Sequence, residues 1–464
     1  MNRSGKSQSN AKSSQSQPLG EAAPTRVKPV TVPFSATPRG EPPEISDWAQ
    51  PLVWTDRMLT TLRNGVRGGK WHTLIDKVYS PETLFFAARR VVYRKGAAGV
   101  DHQTTDEFSE HDREELQRLH DHLRADTYRP AAVRRAWIPK PGSVEKRPLG
   151  IPTVRDRVVQ TALVHVIEPI FDNTFHARSF GFRHGRGCHH ALECVEQLLN
   201  DGFVYVVDAD LKSYFDTIPK DRLMQLVQQS ISDRRVLGLI QQYLDQNIMD
   251  GLSEWTPDAG VPQGAVLSPV LSNVYLNPLD HHMAGLKFQM VRYADDFVIL
   301  CRTAEEAQSA LATVRQWVTE NGLTLHPTKT QIVDSRETSF SFLGYSFRGK
   351  LRFPRAKSNE KLQNRLRDLT PRKSGESLQC IIAKVNSVLQ GWFGYFRHCH
   401  PSVFQPIDEH LRARLRRLLM KRHRRNPKRL PRQARWPIVF FAERGLYNLG
   451  AAHAGFAQSL LGNH

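Results

Sequence analysis

An α+β fold is predicted, an antiparallel sheet framed by helices and followed by a helical, strongly basic C-terminal region. Three observations predict it. Two apolar runs, Phe288 to Val291 and Phe297 to Cys301, have strand-like length and composition, and the polar break between them is short enough for a hairpin turn. Helical periodicity recurs on both sides of that hairpin, as in Leu84, Ala87, Ala88 and Val91, and in Val158, Val159, Ala162, Leu163, Val166 and Ile167. Beyond about Pro354 the chain becomes helical and basic: residues 411–435 hold twelve Lys or Arg and no acid. Such a one-signed run repels itself unless an anion is near.

The bulk composition narrows the function classes. At 464 residues there is room for two or three domains. A formal charge of +19 and a pI near 9.9 suit a polyanion, nucleic acid before an anionic membrane. No apolar run approaches the ~20 residues that span a bilayer, and no apolar signal core follows Met1. A cytoplasmic location without a membrane partner is therefore expected. Five cysteines in a chain of this size indicate a reducing compartment. No C-x-x-C pair is present, and Cys188-His189-His190 with Cys194 is the only cluster to test for a metal, at a spacing that matches no common site.

In chain order, residues 1–47 are rich in Ser, Gln, Pro and Lys and are expected to be a disordered basic lead. Helices are expected from Trp48 to about Val100, with Arg57, Arg63, Arg67 and Lys70 around the first, and again from about Asp106 to Ala125. Ala136 to Pro152 reads as two extended runs around a Pro-Gly turn, a basic hairpin with Lys140, Lys146 and Arg147 near it. Pro141 and Pro148 argue for edge strands. Such a hairpin can close over a triphosphate; it can also be an ordinary surface loop. A helix from about Arg155 to Ile170 should bury one apolar face. The Ser179 to Gly187 loop combines glycines, aromatics and arginines, which suits a nucleic-acid strand.

A helix from about His189 to Leu199 leads to the strand Phe203 to Leu211, which ends in Asp208 and Asp210. Burying Asp210 there is costly without a partner, and a metal would supply one. Gly260 to Pro269 forms a kinked turn that opens a helix through Leu276 and carries Gln263 and Gly264. A helix from about Ala304 to Asn321 precedes Leu323 to Lys329, and a strand pair runs to Phe340–Tyr345. Trp392, Phe393, Tyr395 and Phe396 read as core, and Leu411, Leu415, Leu418 and Leu419 as one helix face. No internal repeat is visible.

Asp295 and Asp296 sit at the hairpin break. Neighbouring residues on extended chain point to opposite faces, so one can face a site while the other supports it. Two negative charges on a tip repel unless a cation sits there, most simply Mg²⁺. The plain alternative is a solvated Asp-Asp turn.

The order of these blocks resembles a reverse transcriptase palm: Asp210 with Phe215, then Val261-Pro262-Gln263-Gly264, Tyr293-Ala294-Asp295-Asp296, Leu323 to Lys329, and Phe342-Leu343-Gly344. Lys140, Arg147 and Pro148 to Pro152 resemble the fingers. The Gly96 to Asp101 block, Gln390 to Phe393 and the Trp436 to Gly445 tail are similar to bacterial group II intron reverse transcriptase/maturases. The resemblance covers about residues 48–455.

It implies a right-hand polymerase, with fingers over 48–200, a palm over 201–350, a helical thumb/maturase domain over 351–425, and a basic tail over 426–464 as a candidate rudimentary DNA-binding segment. It further implies RNA-directed DNA synthesis from dNTPs with two Mg²⁺, Mn²⁺ being a substitute, held by Asp210, Asp295 and Asp296 as catalytic ligands, with Asp208 a weaker candidate. Lys140, Arg147, Phe215 and Gln263 would bind the dNTP, Phe215 excluding a 2′-hydroxyl. Tyr293, Gly264 and Lys329 would contact the RNA template and DNA primer. Arg412, Arg416, Arg417, Lys421, Arg424 and Arg425 would bind group II intron RNA for splicing and retrohoming into target DNA. Because no cysteine-paired endonuclease follows, no second-strand cleavage is expected. Two alternatives stay open: a domesticated reverse transcriptase in phage defence or repair, and a splicing cofactor that needs no polymerisation.

Overall fold

The computed structural model describes residues 48–51, 53–66, 68–139, 146–422 and 435–461. The N-terminal lead, Lys140, Pro141, Arg424 and Arg425 lie outside the described residues.

The first helices are Asp56–Asn64, Ile75–Val78 and Pro81–Tyr93. The single helix expected over 106–125 is two, Thr105–Glu110 and Asp112–Arg124, parted at His111; the first opens on a capping box between Thr104 and Glu107. Strands β1 (Val133–Pro139) and β2 (Lys146–Ile151) pair antiparallel from Arg134↔Ile151 to Pro139↔Lys146. Pro148 does lie on an edge strand, since the sheet order is β2-β1-β4-β5. The helix Val154–Asp172 is buried around most of its circumference rather than on one face, and the Trp54 indole N–H caps its interior by donating to the His165 carbonyl at 3.0 Å.

The remaining strands are β3 (Tyr205–Asp210), β4 (Ile248–Asp250), β5 (Ser253–Trp255), β6 (Gln289–Tyr293), β7 (Asp296–Cys301), β8 (Gln331–Asp334), β9 (Phe340–Phe342), β10 (Tyr345–Arg348) and β11 (Leu351–Pro354). The sheet that carries the acidic residues has the order β6-β7-β3-β8 and is antiparallel throughout. Both of its faces are covered. Val207, Ala209, Phe297 and Ile299 face one core, shared with the helices Ser268–Gly285 and Ala304–Glu320. Val206, Val291, Val298 and Leu300 face a second core, built with the helices Cys188–Asn200, Leu378–Phe396 and Phe404–Arg422. Two buried faces explain why these strands read as unbroken apolar runs instead of alternating ones.

The C-terminal region is helical as expected, with Ala356–Leu369 before the two long helices and Ile438–Ala442 and Leu449–Leu461 after them. Leu411, Leu415, Leu418 and Leu419 are buried together, and Phe393 and Phe396 are core residues. A third sheet, β11-β10-β9, joins this region to the acidic strands. Among the described residues no helix is long and apolar enough to cross a membrane.

Candidate catalytic site

The β6–β7 hairpin closes with Tyr293 opposite Asp296, so Ala294 and Asp295 form a two-residue turn. Ala294 takes a left-handed conformation, φ 59°, as tight hairpin turns require. On the other side of β7, Asp296 stands opposite Asp210 of β3. Register therefore puts Asp210 and Asp296 side by side on one sheet face, with Asp208 two residues back on that face. Asp295 rides the turn itself. The two adjacent acids thus occupy different settings, as the alternation argument expects.

Crowding and burial show in their protonation. Burial, then Asp208, Asp295 and Asp210, push the Asp296 carboxyl up to about 7, against one backbone N–H from Leu343. Burial and Asp210 hold Asp295 above its ordinary value, opposed by its own amide, Arg147 and Arg292. Asp208 is raised by burial and by Asp210, against a hydrogen bond from Gln331. The Lys329 ammonium already serves as a cation here, 2.6 Å from Asp210 Oδ2. Clustered carboxylates that raise one another and draw in an ammonium are a donor set that fits a hard divalent cation. Among the described residues no three His, Cys, Asp or Glu side chains close on one point. The Cys188–Cys194 cluster forms no metal site either.

The turn is held from beneath by residues that the sequence reading did not single out. Arg292, fully buried, donates from Nε to both oxygens of Asp280 at 2.8 and 3.1 Å and from Nη2 to Oδ2 at 2.5 Å. Its Nη1 donates to Asn273 Oδ1 at 2.9 Å and to the Ala294 carbonyl at 2.8 Å. Asn273 Nδ2 donates in turn to the Gly181 carbonyl at 2.8 Å. Burial opposes the Arg292 charge, but Asp280 and its hydrogen bonds hold the guanidinium above its ordinary pKa. Two signals for this clasp were present: an arginine in an otherwise apolar strand, and Asn273 and Asp280 seven residues apart, on one face of an apolar helix.

The glycine-arginine loop has a different purpose from the expected strand contact. Phe180 N–H donates to the Arg292 carbonyl at 2.9 Å, and Arg292 N–H to the Arg178 carbonyl at 3.0 Å, which extends the sheet edge beside the turn. A Cβ on Gly181 would stand 2.2 Å from the Ala294 nitrogen, so glycine is required by the turn's close approach. Arg183 is buried on Asp172 at 2.6 Å, and Arg186 donates to the Ala177 carbonyl at 2.6 Å. Both are tied to the segment that precedes the loop.

Across from the turn, Arg147 is exposed on β2 and lies within the field of Asp295. Gln263 is tied to β2, its carbonyl accepting the Gly150 N–H at 2.6 Å, and its side-chain amide donates to Asp216 Oδ2 at 3.3 Å. Gly264, at φ 103°, abuts Leu149 and the Gly150 carbonyl. Half-buried Phe215 rests edge-on against Tyr214 at 5.4 Å, and its carbonyl accepts the Val261 N–H at 2.7 Å. The structure thus brings Arg147 and Lys329 to the carboxylates, and ties Phe215, Gln263 and Gly264 to one another and to β2 through Val261, Asp216 and Gly150.

At the other flank of the turn Tyr293 is half-buried, and burial and the Cys188 thiol raise its hydroxyl pKa, as they do that of Tyr395. Tyr395 Oη donates to the Leu343 carbonyl at 2.7 Å. Leu343 and Gly344 form a second tight turn with φ 48° and 78°, and the Leu343 N–H reaches Asp296. The helix Leu378–Phe396 is therefore tied to Asp296 through one backbone turn.

The basic helix departs from a uniformly solvated face. Arg412 is buried, within the field of Asp408. Arg416 donates to the Trp436 carbonyl at 2.9 Å and lies over Phe441. Arg414 donates to Thr370 Oγ1 at 2.7 Å. These arginines join helices, because a guanidinium can bury its stem while its fork satisfies exposed carbonyls. Arg417 is exposed and Lys421 half-exposed, and Lys357, Lys361 and Arg365 form an exposed row on the helix Ala356–Leu369.

Residues 138–347 match the family model for reverse transcriptase (RNA-dependent DNA polymerase), and residues 359–436 match the maturase-specific domain of group II introns. Protein YkfC of Escherichia coli is 33% identical over 357 residues, covering 66% of this chain and 93% of that protein. The group II intron-encoded protein LtrA of Lactococcus lactis is 35% identical over 214 residues, covering 46% of this chain and 35% of LtrA. A chain of a partial Cas6-RT-Cas1–Cas2 complex is 25% identical at a TM-score of 0.35, covering 54% of this chain and 42% of that one.

Proposed function

This chain belongs to the group II intron reverse transcriptase/maturase family and is an RNA-directed DNA polymerase, and on that premise we propose the work of its residues. Asp210, Asp295 and Asp296 hold Mg²⁺, with Mn²⁺ as a substitute; the observation that carries this is the register that places Asp296 beside Asp210 with Asp295 on the adjoining turn. When bound, the metal polarises phosphoryl oxygens and favours ionisation of the primer 3′-hydroxyl. Arg147 holds the triphosphate as a fork, with Lys140 as a point charge. Phe215 and Gln263 bracket the deoxyribose, and Gly264 contacts the primer–template. Tyr293 supports the primer end, and Lys329 releases Asp210 to the cation and turns to the nucleic acid. Charge spreads over phosphoryl oxygens in the transition state, so these residues act by position and field.

The test is extension of a DNA primer on an RNA template with dNTPs. Synthesis should require Mg²⁺ or Mn²⁺, stop with chelator and resume on repletion; metal-independent or absent extension would overturn the assignment.

The maturase region binds intron RNA, and from there supports splicing and retrohoming into target DNA in the cell's cytoplasm. The exposed cations Arg417, Lys357, Lys361 and Arg365, with Lys421, provide the phosphate contacts. Replacing Arg417 and Lys421 with Gln should weaken binding of group II intron RNA and lower the slope of log affinity against log salt by up to about two. An unchanged slope would move the RNA to another face.

A further inference from the structure

The polymerase reading uses the carboxylates and the nucleotide contacts, yet leaves unexplained a complete arginine and its counter-ion sealed beneath them. We propose that Arg292 is the positioning residue of the Ala294–Asp295 turn, a pillar that sets where the Asp295 carboxylate stands. The inference rests on the assignment of Asp295 as a catalytic ligand.

The observations are geometric. Arg292 belongs to β6 but faces away from the acids, into the core covered by the helix Ser268–Gly285; its strand partner Phe297 belongs to that core too. It is 0% exposed. Burying a guanidinium is costly, and replacing a buried ion pair by well-packed apolar residues is often neutral or stabilising. Fold stability alone therefore gives little reason for this group. What an apolar residue could not do is donate to the Ala294 carbonyl, which Nη1 does at 2.8 Å. That carbonyl belongs to the peptide that enters Asp295, in a left-handed turn that a non-glycine residue adopts only when its surroundings impose it.

Three supports converge on the peptide. Arg292 holds the Ala294 carbonyl, Asp280 fixes the guanidinium plane through bonds to both oxygens, and Asn273 links the guanidinium to the Gly181 carbonyl across the turn. Gly181 itself is packed against the Ala294 nitrogen with no space for a side chain. The turn is thus confined between the Gly181 backbone on one side and the Arg292 fork on the other. Arg292 carries one fork to Asp280 and a separate donor to Ala294; lysine has the charge without the planar fork and cannot reproduce both.

The test compares Arg292→Lys with Asn273→Ala and Asp295→Ala in primer extension on an RNA template, each with a thermal melt. For Arg292→Lys the expected result is a fall in kcat of about 10²-fold, the cost of misplacing a reacting group by about an ångström. Neither KM for dNTP nor the affinity for primer–template should change, while more Mg²⁺ should be needed for half-maximal rate. Asn273→Ala keeps the Arg292–Asp280 pair and should fold even where Arg292→Lys does not; it is expected to lower kcat less, with the same shift in Mg²⁺ requirement. Wild-type kcat and Mg²⁺ requirement in both variants would overturn the proposal. So would a purely structural outcome, in which kcat, KM and primer affinity decline together in step with melting temperature. If Asp295→Ala itself extends normally, the ligand assignment fails instead, which separates the two failures.

Discussion

Asp295→Ala is expected to reduce primer extension by about 10³-fold or more, the scale of losing several kcal/mol of metal-mediated charge stabilisation. The carboxylate rides a turn whose backbone is held by other groups: Arg292 binds the Ala294 carbonyl, and Gly181 packs against the Ala294 nitrogen. Removing the side chain leaves that scaffold in place. Burial and the neighbouring Asp210 hold the Asp295 carboxyl above its ordinary pKa, so its charge at neutral pH opposes folding. Its loss should leave the melting temperature unchanged or slightly higher. An inactive variant that melts at or above the wild-type temperature is therefore the expected pair of readings. Extension at the wild-type rate would remove Asp295 from the site.

Phe215→Ala is expected to erode the preference for deoxyribonucleotides. The ring is supported by Tyr214, whose hydroxyl is anchored on the Ser272 carbonyl at 2.7 Å. Its backbone is bound to Val261. Gly260, at φ 96°, comes so near the Phe215 carbonyl that a Cβ there would stand 2.8 Å away. Phe215 and the segment carrying Gln263 are thereby fixed relative to one another, and the ring has little freedom to withdraw from a 2′-hydroxyl. Truncation removes the obstacle without disturbing that backbone. The ratio of kcat/KM for dNTP over rNTP should fall by about tenfold to a hundredfold, the range a side-chain pocket commands for one small group. Unchanged selectivity in single-nucleotide incorporation would place the sugar elsewhere.

The acidic site was legible because it is written locally. An apolar run ending in Asp210, a hairpin break at Asp295-Asp296 and a kinked Pro262-Gln263-Gly264 are each contained within a few residues, and their order along the chain carried the family resemblance. Periodicity located the helices Val154–Asp172, Cys188–Asn200 and Ala304–Glu320 to within about two residues, but the helix expected to end at Leu276 runs on through Pro278 to Gly285, and the amphipathic pattern over 106–125 hides the break at His111. The antiparallel pairing of β6 and β7 was also legible, since the polar break between the two apolar runs is too short for anything but a hairpin.

The basic helix shows the opposite case. Its charge suggested one phosphate-facing surface, but whether an arginine meets solvent or a carbonyl depends on what packs against it. Arg416 found Trp436, Arg414 found Thr370, and Arg412 turned inward toward Asp408. Likewise, the glycines and arginines of the 179–187 loop resembled a strand-binding motif, while Gly181 serves the catalytic turn and Arg183 serves Asp172.

By itself the sequence determined the fold class and the polymerase chemistry and nominated the acids, because each depends on residue type and near-neighbour spacing. Only the tertiary structure decided which acids share a face, which cations are committed to the fold, and that Arg292, Asp280 and Asn273 support the turn. The reason is physical: a hydrogen bond between side chains 12 or 19 residues apart leaves no periodic trace, and it exists only once strand register and helix packing have brought its ends together.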